Sequence, residues 1–122
     1  MLQGALILVL NNTGHVLLLQ RHPSAKFAPR QWGYPGGKIE EGETPLEAAI
    51  RETREETTLV VKNPRYLGQF SAVEAYLGED YTGTVEIDFE HTDWAWVSPQ
   101  ELSQYDLAPN VMEIYEKAVK NG

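Results

Sequence analysis

The segment RETREETTLV, residues 51–60, carries three glutamates that a helix would place on one face. Glu52, Glu55 and Glu56 stand three and four positions apart, and side chains at that spacing are neighbours on an α-helix. Like charges so placed repel by roughly 0.2–0.5 kcal/mol per pair, and acids in a last turn also face the negative end of the helix dipole. A divalent cation would offset both costs, because carboxylate oxygens are the ligands that Mg²⁺ and Mn²⁺ prefer.

A solvated acidic face is the alternative interpretation of the same cluster, because runs of charge usually point to water. At about 100° per residue, however, the three glutamates flank the apolar stripe of the helix and do not occupy its outermost side. Arg51 and Arg54 lie on the remaining side and offset part of the repulsion. The stripe consists of Leu46, Ala49, Ile50, Thr53 and Thr57.

Two glycines precede this helix and could bring backbone to the same ligand. Gly36 and Gly37 carry no Cβ, so their peptide groups can approach a bound group closely, and a carbonyl oxygen there could complete a coordination shell. The start of the helix is also clear. Thr44 is a good N-cap, Pro45 suits the first helical position, and Glu47 completes a capping box.

Length and composition describe an ordinary globular chain. At 122 residues, with 42% hydrophobic and 23% charged residues, we expect one domain over residues 1–122. A net charge of -8 argues against binding a nucleic acid polymer, and the absence of cysteine excludes disulfides and thiolate sites. The N-terminal apolar run is too short for a bilayer span and lacks signal-peptide features, which predicts a cytoplasmic protein without membrane contact.

The remaining pattern predicts strands and short helices in irregular order. Capping boxes at Ser98–Glu101 and Asn110–Glu113 predict two further helices. Such a mixture favours an α/β protein with helices packed on a mixed sheet. The predicted strands are 2–10, 16–20, a short aromatic strand at Trp32, 59–61, strands within 65–77, 84–90 and 94–97, with turns at 11–14 and 78–83.

Gly37, Glu43 and the run Arg51–Leu59 together resemble the Nudix box, which reads G-x5-E-x7-R-E-U-x-E-E-x-G-U, where U is a bulky apolar residue. The match covers about a fifth of the chain. The flanking segments WGYPGGKIEEGETP and WVSPQEL are similar to those of MutT-like members. The resemblance implies the Nudix fold, a mixed β-sheet sandwiched between helices in an α/β/α arrangement.

Two residues depart from the box. Thr53 stands at the first U position, where its methyl group can still pack, and Thr58 replaces the glycine. That glycine is plausibly a helix C-cap with positive φ, a conformation that a β-branched residue tolerates poorly. We therefore predict that the helix ends by Thr57 or Thr58 without a left-handed cap.

The resemblance also implies an activity. Nudix enzymes hydrolyse nucleoside diphosphates linked to another group and use Mg²⁺ or Mn²⁺. A MutT-like pyrophosphohydrolase acting on a nucleoside triphosphate is the first expectation. A dinucleoside polyphosphate or nucleotide-sugar hydrolase is the alternative, and a non-catalytic nucleotide sensor of the same fold is an alternative of another class. The expected partner is a small nucleotide, and the chain would be a monomer or a homodimer.

By this resemblance, Glu52, Glu55 and Glu56 bind metal or hold its water, and the Gly37 carbonyl joins them. Glu43 and Arg51 would pair to brace loop against helix.

The general base is open between a box glutamate and an acid from a later loop. Glu90 is the candidate for the later acid, since it stands six residues before Trp96. A solvated position at a strand end explains Glu90 equally well. His91 is a rival, because an ordinary histidine titrates near pH 6.5.

Substrate contacts are the least defined part of the site. Arg21 and Lys38 could reach phosphate oxygens, or be surface charges. Asn110 resembles in position a base-reading asparagine of MutT-like enzymes, and it also suits a helix N-cap. Four aromatic residues could stack on a base or belong to the core: Phe27, Trp32, Tyr34 and Tyr76.

Overall fold

The computed structural model describes residues 3–121, which contain nine β-strands, two α-helices and one 3-10 helix. No helix among these residues is long and apolar enough to cross a lipid bilayer. In chain order the elements are β1 (Gly4–Val9), β2 (Val16–Arg21), β3 (Trp32–Gly33), β4 (Gly36–Lys38), α1 (Pro45–Thr57), β5 (Val60–Lys62), β6 (Arg65–Phe70), β7 (Val73–Gly78), β8 (Asp80–Thr82), β9 (His91–Val97), the 3-10 helix η1 (Pro99–Gln104) and α2 (Val111–Asn121).

The strands form a mixed central sheet with two smaller antiparallel sheets beside it. The central sheet has the order β4-β1-β7-β6, in which β1 and β7 are parallel and the other neighbours are antiparallel. The second sheet has the order β3-β2-β9, and β5 pairs with β8 in a separate ribbon. The prediction of a mixed sheet is confirmed.

Alternation along β1 divides the core into two layers. Ile7 and Val9 are fully buried in a cluster with Ala48 and Ala49 of α1. Leu8 points to the opposite face and joins a cluster that contains Ile114 of α2. Side chains alternate between the faces of a strand, so both faces of the sheet carry apolar residues that a helix must cover. The expected sandwich of a sheet between helices is therefore present.

Helix α1 begins as the sequence predicts. The Thr44 hydroxyl accepts a hydrogen bond from the Glu47 amide at 3.1 Å, and the Glu47 carboxylate accepts one from the Thr44 amide at 2.9 Å. These two bonds satisfy amides that the first helical turn leaves free.

The end of α1 contradicts the prediction. Thr58 is a left-handed C-cap, with φ at 66°, and its amide donates to the Arg54 carbonyl at 2.8 Å. A β-branched residue in this conformation is strained by about 1–2 kcal/mol. Thr58 therefore adopts the conformation expected of the motif glycine. The hydrogen bonds from its amide to the Arg54 carbonyl and from its hydroxyl to the Thr84 carbonyl offset the strain.

Residues 84–90, the acidic segment, are not the predicted strand. Residues 84–88 have no regular secondary structure and residues 89–90 form a turn. The segment lies at the C-terminal end of α1, where the Glu86 amide donates to the Thr57 carbonyl at 2.9 Å and the Asp88 amide to the Glu56 carbonyl at 3.3 Å. Val85 and Ile87 are partly buried against the α1 cluster, whereas Phe89, the next apolar residue at this spacing, is 89% exposed.

Three further expectations need correction. The predicted turn at 78–83 contains β8. Ser98 makes no side-chain cap, and its hydroxyl instead donates to the Glu101 carboxylate at 2.8 Å beside a 3-10 helix. Asn110 precedes α2 as predicted, but its φ is 73°, which is outside the extended conformation of an N-cap. Its side-chain amide donates to the Ser71 hydroxyl at 3.2 Å.

Two buried threonines of α1 provide a matched test of the packing. Thr53 Oγ1 is buried without a hydrogen-bond partner, whereas the Thr57 hydroxyl donates to the Thr53 carbonyl at 2.6 Å and accepts from the Leu59 amide at 3.1 Å. We expect Thr53→Val to raise the free energy of unfolding by about 1 kcal/mol, and Thr57→Val to lower it by about 1–3 kcal/mol. Urea denaturation measures both. A destabilised Thr53→Val variant would contradict the orphaned state of that hydroxyl.

Candidate active site

Glu56 lies at the centre of the site, in the last turn of α1. Its side chain is buried, with 5% of the residue exposed, between the helix and the loop that precedes β4. One carboxylate oxygen accepts a hydrogen bond from the Gly36 amide at 3.0 Å. The packing of α1 on β1 and β4 therefore holds a carboxyl group against exposed backbone of the glycine pair.

Glu52, one turn earlier, lies against the second glycine. A Cβ atom built on Gly37 would overlap the Glu52 carboxylate, with the Glu52 Cδ atom only 2.5 Å away. Only glycine permits this approach, so the position requires the residue that the sequence supplies. Antiparallel pairing of Ala5 with Gly37 fixes the strand that carries the glycine. The Gly37 backbone and the Glu52 carboxylate are thus neighbours.

Arg51 joins the acidic residues to the loop. Its guanidinium binds Glu43 through two hydrogen bonds, at 2.6 and 3.0 Å, and the Lys38 carbonyl at 3.0 Å. It also lies 3.0 Å from the Glu55 carboxylate and 3.3 Å from that of Glu52. The hydrogen bond to Arg51 lowers the pKa of Glu43 below its ordinary value. Glu43 and Arg51 therefore hold the geometry that a brace between loop and helix needs.

The electrostatics of the site reflect carboxyl groups held close together. Burial and a hydrogen bond shared with Glu55 together raise the pKa of Glu52 to about 7, against the lowering effect of the Arg51 charge. Burial raises the pKa of Glu56 to about 9 against the lowering effect of the Gly36 amide, and the charges of Glu52, Asp88 and Glu90 add to the increase. Protonation of these groups relieves the cost of burial and repulsion.

The acidic segment adds a residue that the sequence did not single out. Asp88 lies 2.7 Å from Nδ1 of His91, and one potential ligand atom from each of Glu56, Asp88 and His91 lies within 4.8 Å of the others. The sequence shows acids at 86, 88 and 90. Their proximity to the site depends on contacts between this segment and α1, which the sequence pattern does not reveal. His91, the proposed rival base, has only 4% of its side chain exposed and is engaged by Asp88.

Glu90 is exposed, and its carbonyl accepts a hydrogen bond from the His22 amide at 3.0 Å. This contact brings the loop after β2 to the edge of the acidic cluster. Arg21, paired with His91 across β2 and β9, donates from Nε to the Phe27 carbonyl at 2.7 Å. This hydrogen bond ties the loop after β2 back to the strand. Phe27, which lies in that loop, is 64% exposed.

Lys38 is exposed at the end of β4, in a surface groove that also includes Arg51 and Glu52. The structure therefore brings Lys38 to the box carboxylates.

Four other candidates are used in packing. The Tyr34 hydroxyl donates to the Val111 carbonyl at 2.9 Å inside the core. Trp32 packs edge-on against Tyr105, with ring centroids 5.0 Å apart. Tyr76 is 8% exposed and packs against Tyr66, and Asn110 is bonded to Ser71. Core packing, the alternative noted for these aromatic residues, accounts for their contacts.

Comparison with known proteins places this geometry in a family. A family model described as the NUDIX domain matches residues 2–118. The chain is 31% identical to the CTP pyrophosphohydrolase of Escherichia coli K12, over 88% of this chain and 84% of that protein. It is also 31% identical to the nucleoside triphosphatase NudI of Salmonella agona, over 92% of each chain.

A solved structure agrees in fold. The NUDIX domain of Shewanella oneidensis NrtR, complexed with ADP ribose, matches with a TM-score of 0.83 at 23% identity, over 99% of this chain and 88% of that one. The family model and the two relatives match nearly the whole sequence and not only the residues of the box. The chain belongs to the Nudix hydrolase family and is an enzyme of the pyrophosphohydrolase type.

Proposed function

We propose that this enzyme hydrolyses a nucleoside triphosphate to the monophosphate and pyrophosphate, with Mg²⁺ or Mn²⁺ held by Glu52, Glu55, Glu56 and the Gly37 carbonyl. The observation that carries the proposal is the convergence of Glu56 on Gly36 and of Glu52 on Gly37 in β4. The raised pKa values of Glu52 and Glu56 express a cost that a bound cation removes. The names of the two relatives, which refer to CTP and to nucleoside triphosphates, support the choice of substrate.

The donor set fits a hard divalent cation. Carboxylate and carbonyl oxygens suit Mg²⁺ and Mn²⁺, and the nearby Asp88 and His91 extend the set with an oxygen and a nitrogen. Among the described residues, Arg51 is the only lysine or arginine in an ion pair, and it already binds Glu43. When bound there, a divalent cation neutralises and polarises the diphosphate.

The chain's own residues would supply the proton transfer and the positioning. Glu90 is exposed beside Glu52 and Glu56, and in this proposal it takes the proton from the attacking water. Lys38 contacts phosphate oxygens from the groove beside Glu52. Arg21 lies at the loop after β2, and the guanidinium nitrogens that do not bond the Phe27 carbonyl contact phosphate oxygens in this proposal. Glu43 and Arg51 hold the loop before α1 against the helix and take no part in the reaction.

A free nucleotide suits this chain better than a nucleic acid polymer, because its net charge is -8. Dinucleoside polyphosphates and nucleotide sugars contain the same anhydride linkage and belong in any substrate panel.

The activity test uses CTP and the other nucleoside triphosphates with Mg²⁺ or Mn²⁺, followed by product identification. We expect Glu56→Gln to lower kcat/KM by at least about a hundredfold. Glu90→Gln should lower kcat by about 10²–10⁴-fold, the usual contribution of a general base. Glu86→Gln is the matched control, since it removes an exposed acid from the same segment. Hydrolysis in ¹⁸O-labelled water identifies the phosphorus that is attacked.

Failure to turn over nucleoside triphosphates, dinucleoside polyphosphates and nucleotide sugars would exclude the proposed reaction. Tight nucleotide binding in calorimetry without product would instead support a nucleotide sensor with this fold. Full activity of Glu90→Gln would assign the base to a box glutamate.

The raised pKa of Glu56 also predicts how stability depends on pH in the presence of a chelator. Its folded value is about 9 and its ordinary value 4.5, so the native state holds this proton more tightly than the unfolded state. The stabilisation is complete below pH 4.5 and is lost as the pH rises towards 9. The thermal midpoint of the metal-free protein should therefore be lower at pH 8.5 than at pH 5.5, two conditions that span about two-thirds of that range.

Two additions to this experiment identify its cause. Glu56→Gln should reduce the pH dependence, because this position no longer ionises, and the remaining slope should come from Glu52, whose pKa is also raised, to about 7. Mg²⁺ or Mn²⁺ should raise the midpoint more at the higher pH, where the ligands are deprotonated. A slope in the variant as steep as in the unaltered protein would assign the effect to groups other than Glu56.

A further inference from the structure

Thr58 combines an unfavourable backbone conformation with a side-chain contact that glycine could not make. Its φ is 66°, at the position where the family motif has glycine. Its hydroxyl donates to the Thr84 carbonyl at 2.5 Å. A strained residue persists where its surroundings hold it, and such sites are frequently functional.

The contact is the first of three that hold the acidic segment on the end of α1. After the Thr58 hydroxyl meets Thr84, the Glu86 amide donates to the Thr57 carbonyl and the Asp88 amide to the Glu56 carbonyl. Alternate residues of the segment thus meet successive residues of the helix end. Within residues 3–121, the segment belongs to no strand, so these bonds replace the ladder that would fix a strand.

The segment carries two acids of the site. Asp88 contacts His91, and the charges of Asp88 and Glu90 act on Glu56. Displacement of the segment from α1 would therefore move Glu90 relative to the box carboxylates.

We propose that Thr58 is a positioning residue: its left-handed backbone directs the hydroxyl to Thr84 and fixes the acidic segment, and with it Glu90, against the catalytic helix. The catalytic part of this inference rests on the proposed role of Glu90. The hydroxyl and not the conformation is the essential feature, since glycine adopts the same φ more easily. Serine should replace threonine, and valine should not.

Amide hydrogen exchange, resolved by NMR, tests the structural step without any substrate. We expect Thr58→Val to accelerate exchange of the Glu86 and Asp88 amides by about threefold to tenfold, the effect of one lost hydrogen bond. Thr58→Ser should exchange as the unaltered protein does. Thr13→Val is the control, because it removes an exposed hydroxyl that donates to Asn11 in a distant turn.

Kinetics test the positioning step. With CTP, Thr58→Val and Thr58→Gly should both lower kcat by about threefold to tenfold, with KM changed less than about twofold. Thr58→Ser should restore kcat. Thr58→Gly should melt no lower than the unaltered protein, because it relieves the positive φ, so that lost activity cannot be attributed to lost stability.

Unchanged exchange in Thr58→Val overturns the inference. Faster exchange with unchanged kcat in Thr58→Val overturns the positioning role, because the segment would then move without consequence for turnover. If the unaltered protein turns over no nucleotide, the proposed function fails, while the exchange data still decide whether Thr58 fixes the segment.

Discussion

Burial of the Glu56 carboxyl is the constraint on which the other features of the site depend. Packing of α1 on β1 and β4 brings a group that is 5% exposed against the Gly36 amide, which within residues 3–121 is the one hydrogen-bond donor to its side chain. A buried carboxylate with a single neutral donor is costly. The Gly36 amide offsets part of the cost of burying the Glu56 carboxylate, and the neighbouring acids increase that cost. Glu52 and Asp88 add negative charge, which raises the pKa of Glu56 further.

Among residues 3–121, the box glutamates that form ion pairs all form them with Arg51. Arg51 binds Glu43 with two hydrogen bonds and reaches Glu52 and Glu55, so it stabilises the loop and one side of the cluster. It has no recorded ion pair with Glu56 among residues 3–121. Gly36 of β4 and the acidic segment thus surround a Glu56 carboxyl that, within residues 3–121, forms no ion pair with a lysine or arginine. This asymmetry is the physical basis for proposing a divalent cation at the site.

Local patterns in the sequence were sufficient for much of this architecture. The capping box at Thr44 and the first strand depend on neighbouring residues: the capping box appears as predicted, and the strand predicted at 2–10 is present as Gly4–Val9. Thr58 and the acidic segment were mispredicted because their conformations depend on each other across 26 residues of chain. The conformational preference of threonine disfavours the left-handed backbone of Thr58. The alternation of apolar and acidic residues over 84–90 is typical of a strand. Only the tertiary contact shows that the helix end is the partner of the segment.

The most direct test of the account is the pKa of the Glu56 carboxyl, measured by ¹³C NMR titration with and without Mg²⁺. The account predicts a pKa near 9 in the metal-free protein and a marked decrease when Mg²⁺ is added, because a bound cation favours the ionised ligand. A pKa near the ordinary 4.5 that Mg²⁺ does not change would contradict both the buried, uncompensated carboxyl and the cation site built around it.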